Sequence, residues 1–148
     1  MRAVLVPAAK VHHAWPHIAQ WVSEALTRGN ADQSPEDIRQ ALDRGGMQLW
    51  LVWGYESGRD AGPGKPVGVC VTELIDSPRG RCCTLVIVAG ESWPRWRHLL
   101  GDIERWAVSD WDCERMALIG RKGWARRLVG DGWREMAVVI EKDIGDGR

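Results

Sequence analysis

One junction in the sequence could bind a charged ligand: residues 89–94, A-G-E-S-W-P, which join a strongly apolar run to a region of helical periodicity. A helix that follows a strand presents free backbone N–H groups at its N-terminus, and these groups bind phosphates. Here only one glycine is present, and Pro94 has no N–H group to offer. Glu91 adds a carboxylate that would repel a phosphate. The sequence therefore predicts a strand, a turn and a helix, with a turn that is poor in anion-binding groups.

Two arginines, Arg95 and Arg97, follow this turn. They could contact a phosphate from the first turn of the helix. They could equally lie on the solvated face of an amphipathic helix, and this second interpretation is favoured.

Acid–base chemistry could come from either of two carboxylates, Glu73 and Glu91. A single glutamate near the end of a strand is, however, more often a solvated residue than a general base. His98 falls off the apolar stripe of its helix, so we expect it to be exposed. The sequence contains no nucleophile-elbow, Walker or zinc-protease motif.

The four cysteines, at positions 70, 82, 83 and 113, mostly lie in or beside apolar, strand-like runs. None forms a C-x-x-C pair, and no histidine stands at a metal-binding spacing from them. We therefore expect buried, reduced thiols that fill the core, rather than a disulfide or a zinc site.

The aromatic composition is unusual, with ten tryptophans, one tyrosine and no phenylalanine. Trp124 and Trp133 each follow a glycine and flank a short segment that carries Arg126 and Arg127. Each tryptophan taken alone is expected to pack in the core. Because tryptophan and arginine together are typical of interface anchors, these four residues are also the candidates for a docking surface.

The chain of 148 residues is long enough for one domain with a substantial core, which we place at residues 1–148. Its 20 basic and 20 acidic residues cancel, which argues against a nucleic-acid-binding surface. No apolar run is long enough to span a membrane. The N-terminus lacks the features of a secretory signal, so we expect synthesis in the bacterial cytoplasm.

The periodicity predicts the order strand, two helices, three antiparallel strands, helix, strand, helix and strand. Trp15-Pro16 and Ser34-Pro35 open the first two helices. A loop is predicted at 56–66, and the strands are predicted at 3–7, 47–55, 67–75, 81–89, 113–119 and 133–142. The third helix is predicted to follow Gly90, and the fourth to span 123–129. A strand, a crossover helix and a second strand in one sheet imply parallel pairing. The predicted fold class is therefore α/β (α+β), with a mostly antiparallel mixed sheet, one parallel β-α-β crossover, and helices on both faces.

This order of elements resembles the fold of the GCN5-related N-acetyltransferase (GNAT) family over residues 3–143. The segment 120–144, GRKGWARRLVGDGWREMAVVIEKDI, resembles a group of acetyltransferase-like proteins encoded by tailed phages and prophages. The family resemblance implies acetyl-CoA as the cofactor, with Val88, Ala89, Gly90 and Arg95 as its candidate ligands. Many family members protonate the leaving thiolate with a tyrosine in the helix after the fifth strand, where this sequence has none.

Three functions are compatible with these observations. The poor phosphate turn, the missing tyrosine and the phage-like C-terminal segment favour a non-catalytic structural protein, without a cofactor. It would be a virion component that binds other virion proteins in a symmetric assembly. The alternative is an acetyl-CoA-dependent N-acetyltransferase that uses the retained strand–turn–helix. A small binding protein that acts on the host is a third and weaker possibility.

Overall fold

A five-stranded mixed sheet forms the centre of the computed structural model, which describes residues 1–29, 32–55 and 64–145. The strands follow the chain order across the sheet: β1 (Arg2–Val6), β2 (Gln48–Gly54), β3 (Lys65–Ser77), β4 (Gly80–Gly90) and β5 (Arg115–Leu118). The helices are α1 (Val11–Arg28), α2 (Pro35–Asp43), α3 (Trp93–Trp96), α4 (Leu100–Trp111) and α5 (Gly123–Leu128).

The strands β1 to β4 form an antiparallel meander, and β5 pairs parallel to β4. The crossover that the sequence predicted is therefore present, and so are the mixed sheet and the α/β class. The predicted loop at 56–66 lies mainly outside the described residues, while Lys65 and Pro66 begin β3.

Helices cover both faces of the sheet, as predicted. On one face, α1 and α2 pack through Ile18, Val22 and Ile38, each fully buried. On the other face, α3 and α4 pack through residues that include Trp96 and Ile103. Burial of large apolar side chains on both faces is the main stabilising term of the fold, at about 1.5–3 kcal/mol for each.

The start of α2 is fixed by a capping box. The Ser34 hydroxyl accepts a hydrogen bond from the Asp37 backbone N–H at 3.1 Å, and the Asp37 carboxylate accepts one from the Ser34 N–H at 2.9 Å. These bonds lower the pKa of Asp37. Pro35 occupies the first helical position, where its missing N–H costs nothing. The sequence signal Ser-Pro-Glu-Asp is therefore confirmed as a helix start.

The substitution Ser34→Ala is expected to lower the free energy of unfolding by about 1 kcal/mol, because it removes the acceptor for the Asp37 N–H. Urea denaturation followed by circular dichroism measures this change. The matched control is Ser109→Ala, at an exposed position of α4. This substitution should change the free energy of unfolding little. An equal loss in both variants would contradict a specific role for the cap.

The first helix begins earlier than the sequence predicted. A 3₁₀ turn at Ala8–Lys10 leads into α1 at Val11, so Pro16 lies inside the helix rather than at its start. Val11 and Ala14 are buried and extend the apolar stripe towards the N-terminus. Burial of this extra turn outweighs the lost hydrogen bond at the exposed proline.

The helix predicted after Gly90 is divided into α3, a 3₁₀ turn at Arg97–Leu99, and α4. The indole N–H of Trp96 donates to the Glu91 carbonyl at 2.7 Å, which holds the first turn against the end of β4. The predicted apolar stripe is retained through the break, since Trp96, Leu99 and Ile103 are all buried.

The strand predicted at 133–142 does not form. Residues 134–145 have no strand pairing in the structure, and every one of them is exposed. A strand exists only where a neighbour accepts and donates its backbone hydrogen bonds. Alternation of apolar residues cannot show whether the chain itself provides that neighbour.

Candidate functional site

A cleft opens where β4 and β5 separate. The two strands pair from Cys82↔Arg115 to Leu85↔Leu118. Beyond this point β4 continues to Gly90, whereas β5 ends and the chain turns away through Gly120. The gap between them is a cavity of ≈ 520 Å³, within the size range of small-molecule sites.

The cleft is lined by strands of the sheet and by helices from both of its faces. The second half of β4 contributes residues 86–90, and α1 contributes Trp21 and Glu24. The segment after β5 contributes Arg121, and α5 contributes Trp124 and Arg127. The cleft therefore has an apolar floor, with charged groups supplied from both ends.

Three of the candidate cofactor ligands, Val88, Ala89 and Gly90, line the cleft. Arg95 is exposed and is not among the residues that line it. Arg97 donates to the Arg127 carbonyl at 2.8 Å and forms an ion pair with Asp131. Arg97 therefore links the segment after α3 to the end of α5, and its guanidinium is bonded to these two groups.

The turn after β4 offers few hydrogen-bond donors, as the sequence indicated. The Glu91 N–H donates to the Val67 carbonyl at 2.7 Å, and Pro94 has no N–H. Ser92 adopts a left-handed conformation with φ 55°. Within residues 91–94, the N–H groups of Ser92 and Trp93 are the ones left to meet an anion.

Two arginines from the α5 side reach the cleft. Arg121 and Arg127 line the cleft, and both also line an adjoining cavity of ≈ 470 Å³ together with Gly123 and Arg126. The Arg127 guanidinium lies 5.3 Å from the centre of the Trp124 ring, a cation–π distance. Sequence reasoning did not place these arginines at the cleft, because only the tertiary fold brings α5 beside β4.

An aromatic cluster forms one wall of the cleft. The Trp93 ring contacts Trp96 at a centroid distance of 4.7 Å and Trp124 at 5.0 Å, both edge to face. Trp133 packs against the same core. The expected core packing of Trp124 and Trp133 is thus observed. Their role with Arg126 and Arg127 in docking a partner stays a prediction.

Three carboxylates line the cleft: Glu24 from α1, Glu73 from β3 and Glu91 from the turn. Glu73 is half-buried and faces Thr84 of β4 in the strand register. No ion pair to Glu73 is found among the described residues. A half-buried carboxylate without a cationic neighbour suits a proton acceptor or an anchor for a cationic substrate. Glu91 is exposed, and so is His98, as expected.

The four cysteines are buried and free, which confirms the sequence interpretation. Burial raises the pKa of Cys70 and of Cys83 to about 12. Since a thiolate is the reactive form, neither thiol can act as a nucleophile near neutral pH. Cys70 and Cys83 are therefore unsuited to a mechanism with a covalent intermediate on the thiol.

All four thiols are expected to react with a disulfide reagent at least about 100-fold more slowly in the folded chain than in the chain unfolded by guanidinium. The cause is burial of all four thiols, together with the raised pKa of Cys70 and of Cys83. Absorbance of the released thiolate measures both rates at pH 8. A rapid phase of one thiol per folded chain would contradict this expectation.

The described residues contain no group of histidine, cysteine and acidic side chains suited to a metal ion. None of their helices is long and apolar enough to cross a membrane. Tyr55, the chain's one tyrosine, follows β2 and is not among the residues that line the cleft.

Comparison with solved structures gives many matches that cover nearly the whole chain, and those below are acetyltransferases. A ribosomal-protein-alanine N-acetyltransferase from Brucella melitensis biovar Abortus 2308 matches with a TM-score of 0.59, at 16% identity over 98% of each chain. The fold is that of the GCN5-related N-acetyltransferases. The sequence itself matches no protein-family model and no curated protein.

Two further GNAT-like structures were solved with bound molecules. An aminoglycoside acetyltransferase from an uncultured soil metagenomic sample, in complex with sisomicin, matches with a TM-score of 0.66, at 10% identity over 97% of this chain and 96% of that one. A predicted acetyltransferase from Clostridium acetobutylicum, with acetyl-CoA, matches with a TM-score of 0.58, at 12% identity over 96% and 95%. At these identities the likeness shows the GNAT-like fold alone. The resemblance to phage-encoded proteins finds no counterpart among these matches.

Proposed function

We propose that this GNAT-like chain is an acetyl-CoA-dependent N-acetyltransferase that acts on an amine bound beside Glu73. The observation that carries the proposal is the cleft between the diverging strands β4 and β5, which is lined on one side by a carboxylate and on the other by arginines. The structural relatives that are named as acetyltransferases support this proposal.

The residues present fit acetyl-CoA in two ways. Residues 86–90 of β4 have no β5 neighbour on the cleft side, so their backbone groups can bind the amide-containing arm as an added strand would. Arg121 and Arg127 can bind phosphate groups, because guanidinium groups make paired hydrogen bonds with them. The arginines thus take over part of the role for which the turn at 91–94 lacks donors.

The reaction joins an amine to the acetyl group. When bound, acetyl-CoA supplies that group as a thioester, whose C–S bond breaks as the new C–N bond forms. Glu73 accepts the proton that the amine nitrogen loses. The helix α5 carries no tyrosine, serine or cysteine, so the sulfur takes its proton from solvent.

Arg127→Ala is expected to weaken acetyl-CoA binding about tenfold, because one charge-assisted contact with phosphate is lost. Arg95→Ala is the matched control and should leave the affinity unchanged, since Arg95 does not line the cleft. Quenching of tryptophan fluorescence during titration measures both affinities. The reverse order of effects would place the phosphates at the turn after β4 instead.

Turnover tests the proposed function directly. The chain is incubated with acetyl-CoA and a panel of primary amines, including polyamines, aminoglycosides and peptides with a free N-terminus. We expect thiol release above the hydrolytic background with at least one amine. Release that never exceeds the background, from a folded chain that binds acetyl-CoA, would contradict transfer to an amine.

The structural role in a phage particle stays a prediction. The structural relatives do not support it, and no partner protein is implied by the cleft. Stoichiometric amounts of the chain in purified virions would be the observation in its favour.

A further inference from the structure

The helix α5 forms one wall of the cleft, and its own apolar burial is too small to hold it in place. Of its six residues, all described, Leu128 alone is buried, whereas Trp124 and Arg127 line the cleft. One buried leucine contributes about 1.5–3 kcal/mol, which is little for a helix too short to be stable by itself. The position of this wall therefore depends on side chains that tie it to the rest of the fold.

Arg97 ties the end of α5 to the segment after α3. One nitrogen of its guanidinium, Nη2, donates to the Arg127 carbonyl at 2.8 Å and also to the Asp131 carboxylate. The Arg127 carbonyl belongs to the last turn of α5, where carbonyls lack partners within the helix. Arg97 therefore caps the C-terminus of α5 and also pairs with the carboxylate that follows it.

The turn after α5 brings Asp131 back to Arg97. Asp131 stands between Gly130 and Gly132, whose φ values are 92° and 87°. Glycine adopts a positive φ at little cost, so the chain can change direction directly after the helix. The backbone N–H of Asp131 donates to the Leu128 carbonyl at 3.1 Å, which closes the turn against α5. The carboxylate is thereby held where it reaches the guanidinium.

The other end of this link is anchored in the sheet. Arg97 directly follows Trp96, which is buried and donates its indole N–H to the Glu91 carbonyl at 2.7 Å. Glu91 follows β4, whose residues 86–90 line the cleft. A continuous series of contacts thus runs from the end of β4 through Trp96 and Arg97 to the end of α5. It joins two elements that both line the cleft.

We propose that Arg97, paired with Asp131, is a positioning residue that holds α5 at the distance from β4 that the acetyl donor requires. This role rests on the proposed function, because it concerns the same cleft. Neither Arg97 nor Asp131 lines the cleft, so neither contributes a ligand contact of its own. Their effect reaches the donor through Trp124 and Arg127, which do line it.

The exposure of the pair separates this role from a purely structural one. The side chains of Arg97 and Asp131 are 37% and 49% exposed, and exposed ion pairs contribute little to global stability. A displaced α5, however, moves the Arg127 guanidinium away from the phosphate that we propose it binds. Charge-assisted hydrogen bonds depend strongly on distance and direction. Removal of Arg97 should therefore weaken donor binding far more than it destabilises the fold.

Steady-state kinetics with acetyl-CoA tests the positioning role. Arg97→Ala is expected to raise the KM for acetyl-CoA about tenfold and to change kcat by no more than about twofold, because Arg97 does not line the cleft where the amine binds. Asp131→Asn should raise this KM about threefold, and the double variant should resemble Arg97→Ala, since the two side chains act through one contact. Arg105→Ala removes a comparable exposed pair, with Asp102 on α4, and should keep the wild-type KM.

Hydrogen exchange in the ligand-free chain tests the same link without a donor. The amides of residues 124–131 should exchange at least about tenfold faster in Arg97→Ala than in the wild type, because the capped end of α5 is released. Arg105→Ala should leave these rates unchanged. A wild type that binds no acetyl-CoA would overturn the proposed function, and the exchange rates would then decide separately whether Arg97 holds α5.

Thermal unfolding followed by circular dichroism completes the comparison, and every variant should unfold within about 3 °C of the wild type. An unchanged KM or unchanged exchange in Arg97→Ala would overturn the positioning role. A midpoint lowered by more than about 10 °C, together with a loss of kcat, would also overturn it, because Arg97 would then act on the whole fold.

Discussion

Replacing Glu73 with glutamine is expected to lower the rate of acetyl transfer by about two to four orders of magnitude, the usual contribution of a general base. Glutamine keeps the size and the hydrogen-bonding oxygen of the side chain but cannot accept the amine's proton. Glu73 is half-buried, lines the cleft, and stands opposite Thr84 in the register of β3 and β4. Acetyl-CoA affinity should be unchanged, because the arginines that we propose as phosphate ligands lie on the α5 side.

The measurement is a comparison of kcat and of acetyl-CoA affinity in Glu73→Gln, Glu91→Gln and Glu104→Gln. Glu91 also lines the cleft, but it is exposed, and Glu104 lies on the surface of α4. Full activity in Glu73→Gln with loss in Glu91→Gln would transfer the role of the base to the turn. Loss in all three variants would point to a nonspecific effect on folding.

Gly90→Ala is expected to lower the free energy of unfolding by about 3–5 kcal/mol, since two costs combine. Gly90 has φ 132°, a conformation that an L side chain rarely adopts. A Cβ atom there would lie 2.5 Å from the Val67 carbonyl oxygen and would overlap the backbone of Gly68. Both obstacles are main-chain atoms of the central sheet, which cannot move aside cheaply.

Gly68 is itself tightly packed, since a Cβ atom there would lie 2.7 Å from the Trp96 ring. Chemical denaturation of Gly90→Ala measures the loss. Gly101→Ala is the matched control: it lies within α4, where the nearest atom to a new Cβ is the end of the Arg105 side chain at 3.5 Å. It should be neutral or stabilising by about 0.5–1 kcal/mol. Equal stability of the two variants would contradict the close approach of the two strands.

Local signals in the sequence predicted most of the fold. The helix start at Ser34 and the apolar stripe through Trp96 and Ile103 each depend on neighbours close in sequence, and both are observed. The parallel pairing of β5 with β4 followed from the length of the connection.

Features that depend on distant contacts were not predicted. The burial of Val11 moved the start of α1, and the bond from Trp96 to the Glu91 carbonyl accompanies the break between α3 and α4. The segment after Trp133 alternates like a strand, yet it has no neighbour within its own described chain. Periodicity indicates which residues form an apolar face, but it does not indicate which surface packs against that face.

At the cleft, too, local features were predictable from the sequence and distant contacts were not. The sequence correctly predicts, from Pro94, that the turn at 91–94 has few free N–H donors, and the structure also engages the Glu91 N–H. The sequence favoured a non-catalytic protein, because a sequence does not show which distant groups the fold brings to the cleft. Arg121 and Arg127 reach the cleft from the α5 side, and Glu73 reaches it from β3. These three residues are the basis for preferring an enzyme to a structural component.

Isothermal titration calorimetry with acetyl-CoA tests the central claim most directly. The account predicts binding of one molecule per chain with a Kd on the order of micromolar, typical of enzyme substrates. At a hundredfold excess over Kd, the ligand should stabilise the fold by about 2.7 kcal/mol. A folded chain that gives no binding heat and no thermal stabilisation with acetyl-CoA at about 1 mM would contradict the claim that this cleft binds the acetyl donor.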